Sequence, residues 1–269
     1  MLFCLSKAAL GKIEYNAIFT FLGYFAYTLI TIRILKDRLS FSRILFLLFT
    51  SLFLMQAYTI YLVAVGKTVP LPMLFVYSFG ILSAAFFYKF RSILRFLPVT
   101  LGLVFVMFMF FAGWDYWIYY NNFGTFTGRI SQKQPTRFQA FDEKNASITD
   151  ENFQGKIVIL DYWYTRCGVC FNRFPHLQAA YDRYASDPEV SIYAVDWPIK
   201  EDKPGEAFQA IKDEGYSFPV LIASDEEMPA KWGVTGYPTT FVIDRAGAIV
   251  FKGDIEDAVR TVDELKEKN

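Results

Sequence analysis

The sequence predicts a multi-pass α-helical membrane region followed by an α/β domain, with a central mixed sheet flanked by helices. Three observations carry that reading. Charge divides the 269-residue chain near residue 137: residues 1–137 hold 13 Lys and Arg against 3 Asp and Glu, and residues 138–269 hold 14 against 24. The formal net charge of zero therefore hides a basic half and an acidic half. The apolar excess sits in the basic half, whereas strand-like and helix-like patterns alternate in the acidic half. The expected organisation is a membrane region over residues 1–120, a linker over 121–137 and a folded domain over 138–269.

Four uncharged apolar stretches occupy the first half: Tyr15–Ile32, Ile44–Gly66, Thr68–Tyr88 and Phe96–Trp114. Each has roughly the 17–25 residues that cross a hydrocarbon core, so a lipid bilayer is an expected partner. Trp114, Tyr116, Trp117, Tyr119 and Tyr120 gather at the end of the fourth stretch and read as an interfacial aromatic belt. The loop after the first stretch carries Arg33, Lys36, Arg38 and Arg43, and the loop after the third carries Lys89, Arg91 and Arg95. The other side has Lys7, Lys12 and Lys67, with Arg129 and Lys133 further on. Cationic loops stay in the cytoplasm, which puts the acidic domain outside it, on the periplasmic side of a bacterial inner membrane. The stretches hold no cysteine pair and no charge, so this half reads as an anchor. Cys4 is solitary, and Gln56 and Asn16 read as hydrogen-bonding groups between helices.

Residues 121–137, with Gly, Ser, Thr and Pro135, read as a flexible tether. Beyond it, strands are expected near Phe138–Phe141, Lys156–Trp163, Val190–Asp196, Pro219–Ala223, Thr239–Asp244 and Ala248–Lys252. Helices are expected near Gly168–Ala185, Gly205–Glu214, Glu226–Trp232 and Glu256–Lys268.

The chemistry concentrates in Lys156–Pro175, KIVILDYWYTRCGVCFNRFP. An apolar β-branched run feeds Cys167-Gly-Val-Cys170 at the start of a helical pattern. Thiols at i and i+3 can close a small disulfide ring, and a helix N-terminus favours the first thiolate through free N–H groups and its dipole. Half a zinc site looks the same, but a closed site needs four ligands. Only Cys4 and His176 could add to the pair, so neither metal nor cofactor is expected.

This stretch resembles the WCxxC segment of the thioredoxin superfamily. Asp161 lies six residues before Cys167, where thioredoxins carry a buried acid, and Trp163 lies four before it. Pro175 lies five after Cys170, where the family's active-site helix kinks. Gly236-Tyr-Pro-Thr-Thr-Phe241 is similar to the family's cis-proline loop, which sets Pro238 beside the cysteines. Phe138–Asp142 and Ile148–Lys156 resemble the opening hairpin of TlpA/ResA-type members. The likeness runs from Phe138 to about Leu265 and leaves the first half unassigned.

The resemblance implies a membrane-anchored thiol-disulfide oxidoreductase that exchanges disulfides with protein substrates, most simply as a reductase. Cys167 would be the attacking thiolate and Cys170 the resolving thiol. Asp161 would relay a proton to or from Cys170, with a capped structural aspartate as the alternative. Trp163 would pack under the disulfide, Pro238 would shield the sulfurs, and the Tyr237 backbone would pair with an extended substrate. Arg166 would favour the thiolate or be simply solvated. Two departures stand out: the intervening Gly-Val matches neither reducing nor strongly oxidising relatives, and Arg173 stands where TlpA/ResA-type reductases often carry Glu. A reductase outside the cytoplasm needs a separate membrane thiol donor, and no nucleic acid is expected as partner. Competing readings are an oxidant or isomerase, a docking module without catalysis, and a cytoplasmic redox sensor.

Overall fold

The computed structural model describes residues 7–64, 71–134 and 137–267. Cys4, Lys67, Thr68 and Pro135 lie outside them, as do the side chains of Lys7, Lys12 and Asn16. Two compact units emerge, dividing at Asn121/Asn122.

The first unit is helical: α1 (Lys7–Leu35), α2 (Phe41–Met55), α3 (Ala57–Ala64), α4 (Leu71–Lys89), α5 (Leu97–Phe108) and the start of α6 (Trp114–Phe123). A π-helical turn, Met109–Gly113, joins α5 to α6 and keeps one continuous apolar rod. Three helical segments are long and apolar enough to cross a membrane: Ala17–Leu35, Leu71–Lys89 and Ile93–Phe123. The second apolar stretch differs from expectation. It is two helices, α2 of 15 residues and α3 of 8, because Gln56 leaves helical geometry at φ −99° and ψ 11°. Neither piece alone has the length of a span. Close approach of α1 and α4 depends on Gly80, where a Cβ would lie 2.9 Å from Tyr24 Cβ and 3.0 Å from the Phe21 carbonyl oxygen.

The second unit is an eight-stranded mixed sheet in the order β1-β8-β7-β4-β5-β6-β2-β3. Its strands are β1 (Arg129–Lys133), β2 (Gln139–Phe141), β3 (Ser147–Thr149), β4 (Ile157–Trp163), β5 (Val190–Asp196), β6 (Val220–Ala223), β7 (Thr239–Ile243) and β8 (Ala248–Gly253). Only β4–β5 and β5–β6 pair in parallel; the rest are antiparallel. Helices α7 (Gly168–Tyr184), α8 (Glu206–Asp213), α9 (Met228–Lys231) and α10 (Ile255–Glu267) complete the domain. The expected strands and helices are present, and β2 and β3 form the expected hairpin. The surprise is β1. Residues read as a tether form a strand along β8, with Gln132 opposite Ile249 and Lys133 opposite Ala248.

All seven residues of β4 are buried, as its unbroken apolar run requires of a strand covered on both faces. Ile157, Ile159 and Trp163 join one core with Phe174, Leu177 and Ala180 of α7 and Ala258 and Val262 of α10. Val158, Leu160 and Tyr162 join the other, with Phe138, Trp232 and Phe241. Trp232 packs edge-to-face on Phe138 at 5.8 Å and on Phe241 at 5.7 Å. Trp232→Ala should therefore destabilise the domain by about 3–5 kcal/mol, measured as a lowered urea midpoint with the slope unchanged.

Candidate redox site

The site forms where β4 ends and α7 begins. Tyr164–Arg166 turn the chain, with the Cys167 amide donating to the Tyr164 carbonyl at 3.0 Å. Cys167 is the N-cap of α7, at φ −89° and ψ 84°. Its sulfur does what a cap oxygen normally does: the Cys170 amide donates to Cys167 Sγ at 3.2 Å. The two cysteines are joined as a disulfide. Both are nearly enclosed, Cys167 at 5% exposure and Cys170 at 0%. Cys167 is the more accessible, as expected from its place in the motif, but it is far from open to solvent.

The other expected residues lie on β4, on the turn before α7 and in the loop before β7. Tyr237–Pro238 is a cis peptide bond, and the Thr239 hydroxyl donates to the Gly236 carbonyl across the loop at 2.7 Å. Trp163 is fully buried in the core that includes both cysteines, edge-on to Phe171 at 5.8 Å and Phe174 at 5.1 Å. Pro175 lies inside α7 without breaking it. Arg166 is half-exposed and donates to Glu206 at 2.6 Å, so its charge is shared with an acid rather than directed at the sulfur alone. Arg173 pairs with Glu256, and His176 Nδ1 lies 3.6 Å from the same carboxylate. Among the described residues no cluster of His, Cys, Asp and Glu could hold a metal.

Asp161 is buried on β4, opposite Thr240 of β7, whose hydroxyl donates to its Oδ1 at 2.6 Å. Burial pushes its pKa up to about 6, the Thr240 hydrogen bond opposing, with Glu256 and Asp254 raising it and Arg173 lowering it. The carboxyl can therefore gain or lose a proton near neutrality. Sequence reasoning missed Asp196, the last residue of β5, which is 2% exposed. Burial, with the charges of Asp202 and Glu206, pushes it up to about 8. The only signal in the sequence was an acid closing an apolar strand. Above it Trp197 stacks on Tyr237 at 5.4 Å, and Tyr164 meets both rings edge-on.

The raised pKa of Asp161 has a definite sign. In the unfolded chain the group ionises near 3.8, before it does so in the folded protein. Rising pH between about 4 and 6 therefore favours unfolding, by about 3 kcal/mol in total. The oxidised Asp161→Asn variant should gain that much relative to the unsubstituted chain across this window and hold a constant difference above it. Urea midpoints at a series of pH values measure it.

Comparison with known proteins follows the same outline. Residues 130–252 match the AhpC/TSA family model. The thioredoxin-like protein YneN of Bacillus subtilis is 26% identical over 169 residues, 62% of this chain and 94% of YneN. The thiol-disulfide oxidoreductase ResA of Halalkalibacterium halodurans is 29% identical over 160 residues, 59% of this chain and 81% of ResA. ResA of Bacillus subtilis is 31% identical over 109 residues, and the match spans 40% of this chain and 59% of that protein. A solved thiol:disulfide interchange protein from Bacteroides sp. superposes with a TM-score of 0.45 at 21% identity, over 51% of this chain and 90% of that one. The C-terminal half of the chain is a thioredoxin-like domain of the AhpC/TSA type, similar to the ResA thiol-disulfide oxidoreductases.

Proposed function

We propose that the protein is a membrane-anchored thiol-disulfide oxidoreductase that reduces disulfides of protein substrates outside the cytoplasm. The observation that carries the reading is the capping of α7 by Cys167 Sγ, with the proton-accepting Asp161 buried in the same core. In the dithiol form, an amide N–H and the helix dipole favour the Cys167 thiolate. That thiolate attacks one sulfur of the substrate disulfide; the S–S bond breaks, and the other substrate sulfur leaves and is protonated. Cys170 then gives its proton to Asp161 and attacks Cys167 Sγ, restoring the ring and releasing the second substrate sulfur as a thiolate, which takes up a proton from solvent. Two electrons pass from the dithiol to the substrate. The cis-proline loop offers the Tyr237 backbone to an extended substrate segment, and Trp163 packs under the ring.

Anchoring rests on the three apolar helices, and the side rests on charge. Arg33, Lys36, Arg38 and Arg43 lie at and beyond the end of the first span, and Lys89, Arg91 and Arg95 at and beyond the end of Leu71–Lys89. With α2 and α3 crossing together as a further span between them, both loops lie in the cytoplasm, which puts the acidic domain on the outer face. The spans hold no cysteine pair, so a separate membrane thiol protein must return the electrons.

Two measurements test this reading. Cys170→Ser should accumulate mixed disulfides with substrate proteins on non-reducing gels, and Cys167→Ser should accumulate none; equal trapping by both would sink the assigned order of attack. Equilibrating the full-length chain with dithiothreitol buffers should give a potential near thioredoxin's, about −270 mV. A value near about −120 mV would instead make the protein an oxidant of folding chains.

A further inference from the structure

Strand register puts Asp196 on the same sheet face as the cysteines' core. In β4 and β5, Asp161 lies opposite Ala194 and Trp163 opposite Asp196. Side chains alternate along a strand, so Asp161 and Trp163 share a face with Ile192, Ala194 and Asp196. The core on that face includes Cys167 and Cys170. Asp196 Oδ1 is buried without a hydrogen-bond partner, and so is the Trp163 indole Nε1. An orphaned acceptor and an orphaned donor thus occupy adjacent strand ends, where the loop to Cys167 begins. A buried acceptor left unpaired costs about 1–3 kcal/mol, which an ordinary structural aspartate would avoid by finding a donor.

The loop leading to the nucleophile is tied to the carboxylates around Asp196. Thr165 donates to Asp202 and Arg166 to Glu206, and those two acids are the charges that bear on Asp196. From the cis-proline loop, the Tyr237 hydroxyl responds to the charge of Asp196 as well. The titratable and charged groups tied to it are therefore Asp202 and Glu206, Arg166 held by Glu206, and Tyr237. Every charged neighbour that acts on it directly is an acid, so it keeps its proton to high pH.

We propose that Asp196 is a second proton-holding carboxyl of the dithiol site, keeping its own proton while Cys167 ionises to the attacking thiolate. This rests on the dithiol chemistry of the preceding subsection. The pair of thiol and carboxylic acid loses its first proton from Cys167, leaving a thiolate beside a carboxylic acid with one negative charge between them. When the thiolate displaces a substrate sulfur, the departing thiolate takes the Asp196 proton. Asp161 takes up the Cys170 proton, so each sulfur of the pair has its own carboxyl.

The test uses the reduced full-length chain. Alkylation of Cys167 by iodoacetamide is followed against pH by mass spectrometry of the peptide that bears it. The unsubstituted chain should show two steps, as for coupled sites. Asp196→Asn should show one, its midpoint lower by about one pH unit than the old upper one, a rate gain of up to about twofold at the old upper midpoint; Asp161→Asn should keep both steps. A second measurement needs no variant: the carbon-13 shift of the Asp196 carboxyl should titrate at higher pH in the reduced chain than in the oxidised one. An Asp196 midpoint identical in both redox states overturns the proposal, and so does a Cys167 profile unchanged by Asp196→Asn. Coupled titration in a chain that reduces no protein disulfide would leave this proposal standing and overturn the function proposed above; exchange activity without coupling does the reverse.

Discussion

A sulfur atom serving as a helix cap is the interaction on which the rest of the domain depends. The same atom that the Cys170 amide approaches is the one able to attack, so the stability of α7 and the reactivity of the dithiol are set together. That arrangement holds only if α7 starts at one fixed place. β4 fixes it, because a strand buried on both faces cannot slip by one residue without exchanging its two cores. Its neighbours complete the geometry: β7 brings Thr240 to Asp161 and leads back to the cis-proline loop, and β5 brings Asp196 alongside Trp163.

The domain manages charge in two different ways around this junction. Its arginines near the cysteines are each tied to a glutamate, Arg166 to Glu206 and Arg173 to Glu256, so they contribute directed fields with little net charge. Its buried acids have no such partners. Asp161 has one hydroxyl donor and Asp196 has no donor for Oδ1. Carboxyls in that condition titrate closer to neutral pH, where a solvated aspartate has long lost its proton. A thiol pair that must shed and recover two protons per cycle is thereby surrounded by groups able to hold them.

Much of this could be read from the chain. The β-branched run before Cys167, the spacing of Asp161, Trp163 and Pro175, and the Gly236–Phe241 loop are local signals, and local signals survive in one dimension. Asp196 could not be read this way, because its importance comes from the strand beside it, and Asp-Trp-Pro at the end of a strand looks like the start of any loop. Gln56 was legible as a polar group and read as a hydrogen bond between helices, but whether a helix continues through it depends on neighbours that sequence does not show. β1 was hidden for a related reason. Arg-Ile-Ser-Gln-Lys is too polar to pattern as a strand, and its single partner, β8, lies more than a hundred residues away.

That hidden strand bears on how the sheet avoids its own kind. β8, Ala-Ile-Val-Phe-Lys-Gly, is rich in residues that favour strand pairing, and β1 occupies its outer edge. β1 then becomes the border itself, and it is mostly exposed, with Arg129 at one end and Lys133 at the other. A charged, polar margin is a poor template for a second chain, whereas bare β8 would be a good one. A soluble fragment begun at Phe138, where the acidic half starts, would strip away that border and offer β8 to its neighbours. One begun a few residues before Arg129 would keep the fragment monomeric.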